Sequence, residues 1–375
     1  MPDFDSIVVG AGVVGLSCAV ALARAGQAVA VLESEDRAGE GISSRNSGVI
    51  HAGLYYPTGS LKAALCVRGR DLLYEYCARR HIAHRRLGKL VVATDQPGVD
   101  KLRQLERQAQ VNQVEVCWRS AAEARALEPE LACVAALEVP SSGIVDVPEL
   151  VTALIGELEQ SGGLLLCRTA ISAITPAGGW WTVTTASGDV SSARAVVNAA
   201  GHGAIPLAQR TAGLPAQRIP GAWFAAGHYY TISGASPFER LIYPLPDPAG
   251  LGVHLGLDLA GRCRFGPDLR WVQGLDYRFD DSQRAAFAAS VRRWWPTLDD
   301  ADLQPDFVGV RPKIAGPGQP NADFQLRDSA VHGQPGLIEL FGIESPGLTS
   351  ALAIGERVAQ MLGVAPGHRP THLAH

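Results

Sequence analysis

The chain has 375 residues, of which 47% are hydrophobic and 19% are charged, and its formal net charge is −4. This length is sufficient for two packed domains. The small negative charge gives no electrostatic basis for binding nucleic acid or an acidic membrane surface. The seven cysteines are odd in number, scattered and without a Cys-x-x-Cys pair. We therefore predict free thiols in a reducing, cytoplasmic compartment and no metal site.

Residues 5–33 have the pattern of a nucleotide-binding βαβ unit. An apolar run at 7–9 predicts a buried strand, which leads into Gly10-Ala11-Gly12-Val13-Val14-Gly15 and an amphipathic helix. A second apolar run, 28–32, ends on Glu33. The glycines permit a tight turn, a close approach of the backbone to a pyrophosphate and close packing of the helix, while the acid can bind ribose hydroxyls. A lone glycine motif is also typical of an ordinary turn, but the complete succession predicts dinucleotide binding.

The same apolar region does not resemble a targeting segment. It follows residues 1–5, a segment that carries two aspartates and no basic residue, and three glycines and Arg24 interrupt it. We therefore predict neither a signal peptide nor a transmembrane segment.

Further elements are predicted along the rest of the chain. A polar loop at 39–48 precedes a helix over 60–80 with Ser60 as its N-cap, a strand over 89–94 and a charged helix over 98–112. Beyond residue 140 the predicted elements are a helix starting at 146–148 and ending near 159, strands at 164–167, 170–175, 180–186 and 193–198 with a hairpin turn at 187–188, an antiparallel sheet within 222–273, a strand at 337–341 and a helix over 348–362.

This order predicts an α/β (α+β) protein of two discontinuous domains. A Rossmann-like cofactor domain is predicted over 1–85, 140–215 and 305–375, and an inserted, mainly antiparallel β substrate domain over 86–139 and 216–304.

Three further segments favour FAD over NAD as the dinucleotide. The polar run 43–48 suits the pyrophosphate and ribityl chain of an extended FAD, although a solvated loop has the same composition. The small residues 198–201 end a strand where a backbone would pass close to the cofactor. Residues 342–349 lead into the last helix, whose N-terminus can stabilise negative charge on a reduced flavin.

Several segments together resemble the FAD-dependent D-amino-acid-oxidase-like superfamily and, within it, the L-2-hydroxyglutarate dehydrogenases (oxidases). The residues that carry the resemblance are 43–63, 139–146, 241–255, 309–313 and 345–355. The resemblance implies FAD, bound covalently or non-covalently, and oxidation of a 2-hydroxy dicarboxylate to the 2-oxo acid.

The candidate cofactor-binding residues lie in the segments described above and at one further position. They are Gly10, Gly12, Val13, Val14, Gly15, Glu33, Ser34, Ser43, Ser44, Arg45, Asn46, Ser47, Gly48, Val49, Ala170, Ala199, Ala200, Gly201, Gly342, Ile343, Ser345, Pro346, Gly347, Leu348 and Thr349. No second Gly-x-Gly-x-x-Gly with a downstream strand occurs, so we expect electrons to pass to oxygen, a quinone or an electron carrier rather than to NAD. Peripheral attachment to the inner membrane stays open.

The expected chemistry needs a base, a carboxylate site and a wall for the substrate. His51 and His254 are the candidate bases; a structural histidine is the alternative for both, and covalent flavin attachment is a second alternative for His51. Arg311 resembles the superfamily's carboxylate-binding arginine, since a guanidinium matches a carboxylate bidentately. The remaining candidates for binding the substrate are Tyr55, Tyr56, Tyr243, Lys313 and Glu344.

Glu344 departs from the pattern of the dehydrogenases that the chain resembles, which have a neutral, Asn-like residue there. A carboxylate near an anionic substrate is repulsive unless it is protonated or paired. Glu344 therefore keeps open an amine or amino-acid oxidase of the same superfamily. A non-catalytic flavin-binding sensor is the second alternative.

Overall fold

The computed structural model describes residues 1–245 and 252–364. Residues 246–251 of the 241–255 segment therefore lie outside the described residues. The strands, in chain order, are β1 (Phe4–Val9), β2 (Val29–Leu32), β3 (Val49–Ile50), β4 (His84–Arg85), β5 (Lys89–Ala93), β6 (Cys117–Ser120), β7 (Ala135–Glu138), β8 (Gly143–Val145), β9 (Leu164–Leu166), β10 (Ile171–Ala177), β11 (Trp180–Thr185), β12 (Val190–Asn198), β13 (Trp223–Thr231), β14 (Leu241–Pro244), β15 (His254–Leu257), β16 (Cys263–Gly266), β17 (Arg270–Val272), β18 (Gln304–Lys313), β19 (Gln325–Arg327) and β20 (Leu337–Phe341).

The α-helices are α1 (Val13–Arg24), α2 (Leu61–Arg80), α3 (Gln96–Val111), α4 (Ala121–Leu127), α5 (Val147–Gln160), α6 (Ala204–Gln209), α7 (Arg284–Arg292), α8 (Ser329–His332) and α9 (Gly347–Met361). The chain divides into unit 1, residues 1–44, 147–222 and 312–375, and unit 2, residues 45–146 and 223–311. The predicted α/β class with an inserted β region is confirmed.

The boundaries of these units differ from the predicted domain boundaries mainly at residues 45–85, which belong to unit 2. The physical reason is strand pairing. Residues of β3 pair with β8, as Val49 does with Ile144, and β4 pairs with the other side of β8. These short strands give no periodic signal in the sequence, so the predicted boundary followed the end of a helix instead.

Unit 1 is built on one sheet with β1 near its centre. β1 pairs in parallel with β2 and β12, β9 extends the sheet beyond β2, and β20 pairs with β12. Residues Ile7 and Val8 are fully buried, as expected for a central parallel strand. α1 and α9 pack closely because Gly355 has no side chain; a Cβ there would clash with the carbonyl oxygen of Ser17.

Unit 2 contains a nine-stranded sheet in the order β17-β13-β16-β15-β14-β5-β7-β6, with β18 also paired to β13. Most pairs are antiparallel, and β14 with β5 is parallel. Large aromatic side chains fill the core, of which Tyr230, Phe265, Phe287 and Trp294 are fully buried. One face of this sheet bears the stacked side chains of Tyr243 and His254.

Local sequence signals are confirmed where they were strongest. The Ser60 hydroxyl accepts a hydrogen bond from the Ala63 N–H at 3.1 Å and caps α2. The hairpin turn predicted at 187–188 joins β11 to β12, and Gly188 has φ +94°. All seven cysteines are free. No helix within the described ranges is long and apolar enough to cross a membrane.

Candidate functional site

The loop between β1 and α1 has the geometry of a dinucleotide-binding turn. Gly10 has φ +101°, and a Cβ there would lie 2.6 Å from the carbonyl oxygen of Ala199. A Cβ at Gly15 would clash with the Gly10 carbonyl group, whereas one at Gly12 would meet only the Ser43 hydroxyl, at 3.2 Å. Gly10 and Gly15 thus have the close backbone packing that was predicted for them, and the contact of Gly12 with a phosphate stays a prediction.

Glu33 follows β2 at the same end of the sheet as this loop. Its carboxylate accepts hydrogen bonds from the N–H of Ala11 at 2.6 Å and of Glu35 at 3.0 Å. The Ser34 hydroxyl donates to the same carboxylate at 3.1 Å. The acid is thus held beside the glycine loop, where a ribose diol would bind.

The polar run 43–49 is divided between the two units. In unit 1, Ser43 accepts a hydrogen bond from the N–H of Val13 at 3.0 Å, at the start of α1, and Ser44 donates to the Glu40 carbonyl oxygen at 2.7 Å. In unit 2, the Arg45 guanidinium lies 4.1 Å from the ring centroid of Tyr277. The Asn46 side chain accepts from the N–H of Gly48 at 2.6 Å. The run therefore forms a hydrogen-bonded turn whose polar side chains are partly exposed.

The other predicted cofactor segments belong to unit 1. The Asn198 side chain at the end of β12 donates to Glu339 at 2.6 Å, and burial raises the pKa of Glu339 to about 8. α9 begins at Gly347 with no acidic residue in its first turn, so its N-terminus can face negative charge. The Ala170 carbonyl oxygen accepts from the N–H of Ala186 at 2.7 Å and continues the β10–β11 hairpin.

In unit 2, the register of the sheet brings together side chains that are distant in sequence. Because Ile242 pairs with Leu255, Tyr243 lies directly opposite His254, and both side chains project from one face. Their rings stack with centroids 3.8 Å apart. His254 in turn pairs with Gly266, against which the ring of Tyr229 packs, since a Cβ on Gly266 would lie 3.0 Å from that ring.

His51 joins this group from the segment that follows β3. Its ring meets the Tyr243 ring edge-on, with centroids 6.5 Å apart. A narrow cavity, with no room for a water molecule in this conformation, is lined by His51, Tyr55, Tyr56, Lys89 and neighbouring residues. Two of the predicted tyrosines and one of the candidate bases, His51, therefore line the same cavity. Lys89 lines it as well, although it was not among the predicted site residues.

Lys89 is the first residue of β5 and is only 2% exposed. Its ammonium nitrogen lies 4.0 Å from the ring centroid of Tyr243 and 5.7 Å from that of Tyr55. Among the described residues, no carboxylate forms an ion pair with it. Burial lowers its pKa to about 7. A lysine heading an otherwise apolar strand, KLVVA, was the sequence signal that could have identified it.

Both histidines are neutral at physiological pH. Burial, with the charge of Lys89 and the neighbouring His254, lowers the pKa of His51 well below its usual value. Burial, Lys89 and Arg311 lower the pKa of His254 to about 3. A neutral imidazole can accept a proton, so both rings are candidate bases, with a basicity below that of an ordinary histidine.

Arg311 lies on β18, beside β13. Its guanidinium donates to the backbone carbonyl oxygen of Asp268 at 3.1 Å, and a Cβ on Gly227 would approach it to 3.0 Å. The Asp268 carboxylate accepts from the N–H of His228 at 2.6 Å and from Arg270 at 2.7 Å. No described carboxylate forms an ion pair with Arg311, so its charge is available to an external anion.

Comparison with known proteins agrees with these features. Residues 5–361 match the family model described as FAD dependent oxidoreductase (DAO). The chain belongs to this family. It is 39% identical to the mitochondrial L-2-hydroxyglutarate dehydrogenase of Arabidopsis thaliana, over 95% of this chain and 82% of that protein. It is 29% identical to the L-2-hydroxyglutarate dehydrogenase of Salmonella houtenae, over 95% of this chain and 92% of that protein.

Solved structures share the fold of this FAD-dependent oxidoreductase. An FAD-bound L-alpha-glycerophosphate oxidase from Mycoplasma pneumoniae is 23% identical with a TM-score of 0.86, covering 98% of this chain and 96% of that one. A glycine oxidase from Geobacillus kaustophilus is 22% identical with a TM-score of 0.81, covering 97% and 95%. The predicted superfamily, its FAD cofactor and the likeness to L-2-hydroxyglutarate dehydrogenases are confirmed.

The last two predicted substrate-binding residues of the oxidoreductase are paired with each other in unit 1. The Lys313 ammonium lies 3.0 Å from the Glu344 carboxylate, and the two side chains are 7% and 10% exposed. Lys313 also donates to Asn321 at 3.2 Å. The unusual acid is thus balanced by a cation of its own unit, which removes the repulsion that an unpaired carboxylate would exert on an anion.

Proposed function

We propose that this oxidoreductase oxidises an L-2-hydroxyglutarate-like 2-hydroxy acid to its 2-oxo acid and passes the electrons to an acceptor other than NAD. The observation that carries the proposal is that two histidines, His51 and His254, meet the ring of Tyr243 in a unit that also bears Arg311, an arginine with no carboxylate partner among the described residues. A base and a carboxylate-binding fork are the two elements that oxidation of a hydroxy acid requires. The names of the relatives from Arabidopsis and Salmonella support the substrate class.

In this proposal unit 1 is the FAD-binding domain. The backbone at Gly12, the N-terminus of α1 and the Ser43 hydroxyl beside it would hold the pyrophosphate, and Glu33 the ribose. The predicted residues of 198–201 and 342–349 would complete the site. FAD, when bound, supplies the acceptor for the hydride that leaves C2 of the substrate.

Unit 2 is proposed to bind and deprotonate the substrate. Arg311 is held by the Asp268 carbonyl group, which leaves further N–H groups of its fork for the C1 carboxylate. His51 or His254 takes the hydroxyl proton as the C2–H bond breaks with its electron pair and the C2=O double bond forms. The edge of Tyr243 against His51 and its face against His254 hold both imidazoles in place. Tyr55 and Tyr56 would restrict water from one side of the cavity.

The electron acceptor is proposed to be oxygen, a quinone or an electron carrier. The seven free cysteines support a reducing, cytoplasmic setting, with transient contact to the inner membrane if the acceptor is a quinone. An acceptor panel on the reduced enzyme would distinguish these three.

The proposed function is tested by anaerobic titration of the FAD-loaded enzyme with single substrates. We expect L-2-hydroxyglutarate to bleach the flavin, and its D-enantiomer, glycine and D-amino acids not to do so. Bleaching by glycine or D-amino acids alone would establish the amine-oxidase alternative. Bleaching by dithionite but by none of these compounds would favour the sensor. Because Glu344 is paired with Lys313, the site that was expected to bind a substrate amine is already occupied by a cation, which weakens the first alternative.

A further inference from the structure

Lys89 occupies a position that the proposed chemistry leaves unexplained. A lysine that is 2% exposed loses most of its hydration, and the faces of Tyr243 and Tyr55 replace only a part of that loss. Buried charges in proteins are ordinarily paired. Here no carboxylate within the described residues serves as the partner, and the ammonium group lies over the ring of Tyr243, which stacks on His254. The missing partner is therefore to be sought among the ligands of the face that Lys89 shares with His254.

The position of Lys89 relative to Arg311 is fixed by the sheet. The Lys89 ammonium lies over the ring of Tyr243 on β14, and the Arg311 guanidinium lies over Gly227 on β13. β15 and β16 run between these two strands. The two cations thus flank the face that bears His254, and both lower the pKa of that histidine.

The strand spacing gives the order of magnitude of the distance between the two cations, which can be compared with the length of a five-carbon diacid. Three strand spacings amount to about 14 Å of sheet. A five-carbon chain with four C–C bonds of about 1.5 Å spans roughly 5 Å between its end carbons. Hydrogen bonds of about 3 Å at each end extend this to roughly 11 Å, which is of the same order as the spacing between the two strands and about 3 Å less than it. A 2-hydroxy acid with one carboxylate would engage Arg311 and leave Lys89 unpaired.

We propose that Lys89 binds the second, distal carboxylate of the substrate and so selects 2-hydroxy dicarboxylates over 2-hydroxy monocarboxylates. The proposal rests on the proposed function, because it assigns one end of the same substrate. Arg311 holds the C1 carboxylate, the histidines lie beside C2, and the Lys89 ammonium receives the far carboxylate in a charge-assisted hydrogen bond. Tyr243 carries no charge of its own in this arrangement and supports Lys89 through its ring face.

The test compares two substrates that differ only at the distal end, L-2-hydroxyglutarate and L-2-hydroxyvalerate. In Lys89→Met we expect kcat/KM for the diacid to fall roughly 100-fold, the size of a lost charge-assisted hydrogen bond, and kcat/KM for the monoacid to change less than about threefold. Lys89→Arg, which retains the charge, should recover a part of the diacid activity. The exposed Lys101→Met is the matched control and should leave both substrates unaffected.

Equal losses for the two substrates, or an unchanged preference for the diacid, would overturn the assignment. If Lys89→Met does not fold, competitive inhibition of the wild-type enzyme decides the question instead: glutarate must bind at least about tenfold more tightly than valerate, and equal binding refutes the proposal. Failure of the proposed function has a different signature, since wild-type enzyme would then not be reduced by L-2-hydroxyglutarate at all.

Discussion

The ring of Tyr243 lies flat against the imidazole of His254, with centroids 3.8 Å apart and planes inclined by 11°. The ammonium group of Lys89 lies 4.0 Å from the centroid of the same tyrosine ring. One aromatic side chain thus supports both a candidate base and a buried cation. Its register opposite His254 is set by pairing of β14 with β15, and its contact with Lys89 by pairing of β14 with β5.

This arrangement predicts that the ring of Tyr243 matters more than its hydroxyl group. Tyr243→Phe keeps the stack and should leave flavin reduction within about threefold of wild type, whereas Tyr243→Leu removes an aromatic pair of about 1 kcal/mol and should slow it roughly fivefold or more. Stopped-flow measurement of the reductive half-reaction distinguishes the two variants. A loss in Tyr243→Phe as large as in Tyr243→Leu would instead show that the hydroxyl group contacts the substrate.

His51→Ala should lower the limiting rate of flavin reduction about 100-fold or more, because a positioned general base contributes roughly that factor. FAD content should be retained, since the predicted cofactor residues are others. His254→Ala, assayed in parallel, assigns the role: the base is the histidine whose removal causes the larger loss in the limiting rate of flavin reduction. An unchanged reductive rate in His51→Ala would exclude His51 as the base.

Arg311→Lys should weaken binding of the 2-hydroxy acid by roughly 10- to 100-fold, since lysine cannot bind a carboxylate bidentately while it remains hydrogen-bonded to the Asp268 carbonyl oxygen. The dissociation constant is obtained from the substrate dependence of flavin bleaching. Arg264→Lys on β16, whose partner is Asp306, is the control and should bind normally. Loss of FAD from Arg311→Lys would show that the arginine has a structural role.

Local signals predicted most elements of this fold. The glycine loop, the Ser60 cap and the turn at 187–188 are each encoded within a few neighbouring residues, and the structure has all three. The boundary between the two units was harder to predict, because β3 is only two residues long and its partner β8 lies about 95 residues further along the chain.

Only a part of the candidate site could be predicted, again because pairing between distant strands leaves no local signal in the sequence. His51, His254, Tyr243 and Arg311 each lie in recognisable segments, but which of them share a face depends on strand order. Lys89 reaches Tyr243 only because β5 pairs with β14, a contact between strands about 150 residues apart in sequence. No local pattern indicates such a pairing, so the sequence showed Lys89 only as the polar first residue of an apolar strand and did not assign it to the site.

Substrate affinity should depend on pH through Lys89. Burial lowers its pKa to about 7, whereas an unfolded lysine has a pKa near 10.5. Around it, the pKa values of His51 and His254 are lowered, those of Tyr55 and Tyr243 are raised, and that of Cys66 is raised to about 12, so none of these five titrates between pH 7 and 9. In this assignment glutarate binds to the ammonium form of Lys89, because the neutral amine offers its carboxylate no positive charge.

We therefore expect glutarate affinity to fall as the pH rises from 7 to 9, by at most about tenfold per pH unit, with proton uptake on binding near pH 7 to 8. Titration calorimetry in two buffers of different ionisation enthalpy measures both. Valerate and the Lys89→Met variant should show neither effect. A diacid affinity that is constant up to pH 9 would contradict the assignment.

The lowered pKa of Lys89 also predicts that the free energy of unfolding depends on pH. Between pH 7 and 10.5 the unfolded chain binds more protons at Lys89 than the folded chain, so this residue lowers the free energy of unfolding most at neutral pH and least near pH 10. Lys89→Met should therefore be more stable than wild type at pH 7, and the difference should narrow by pH 9.5. Urea unfolding at the two pH values checks this, and a difference that widens with pH would contradict it.

Glu344→Gln should destabilise unit 1 rather than alter substrate binding. The substitution leaves the Lys313 ammonium, which is 7% exposed, without its charge partner, and orphaning one member of a buried ion pair costs about 3–5 kcal/mol. Lys313→Met combined with Glu344→Gln removes the orphaned charge and should recover much of that stability. Urea unfolding of the FAD-loaded variants measures the effect. If Glu344 instead contacted the substrate, Glu344→Gln would change KM at unchanged stability, and the double variant would show no recovery.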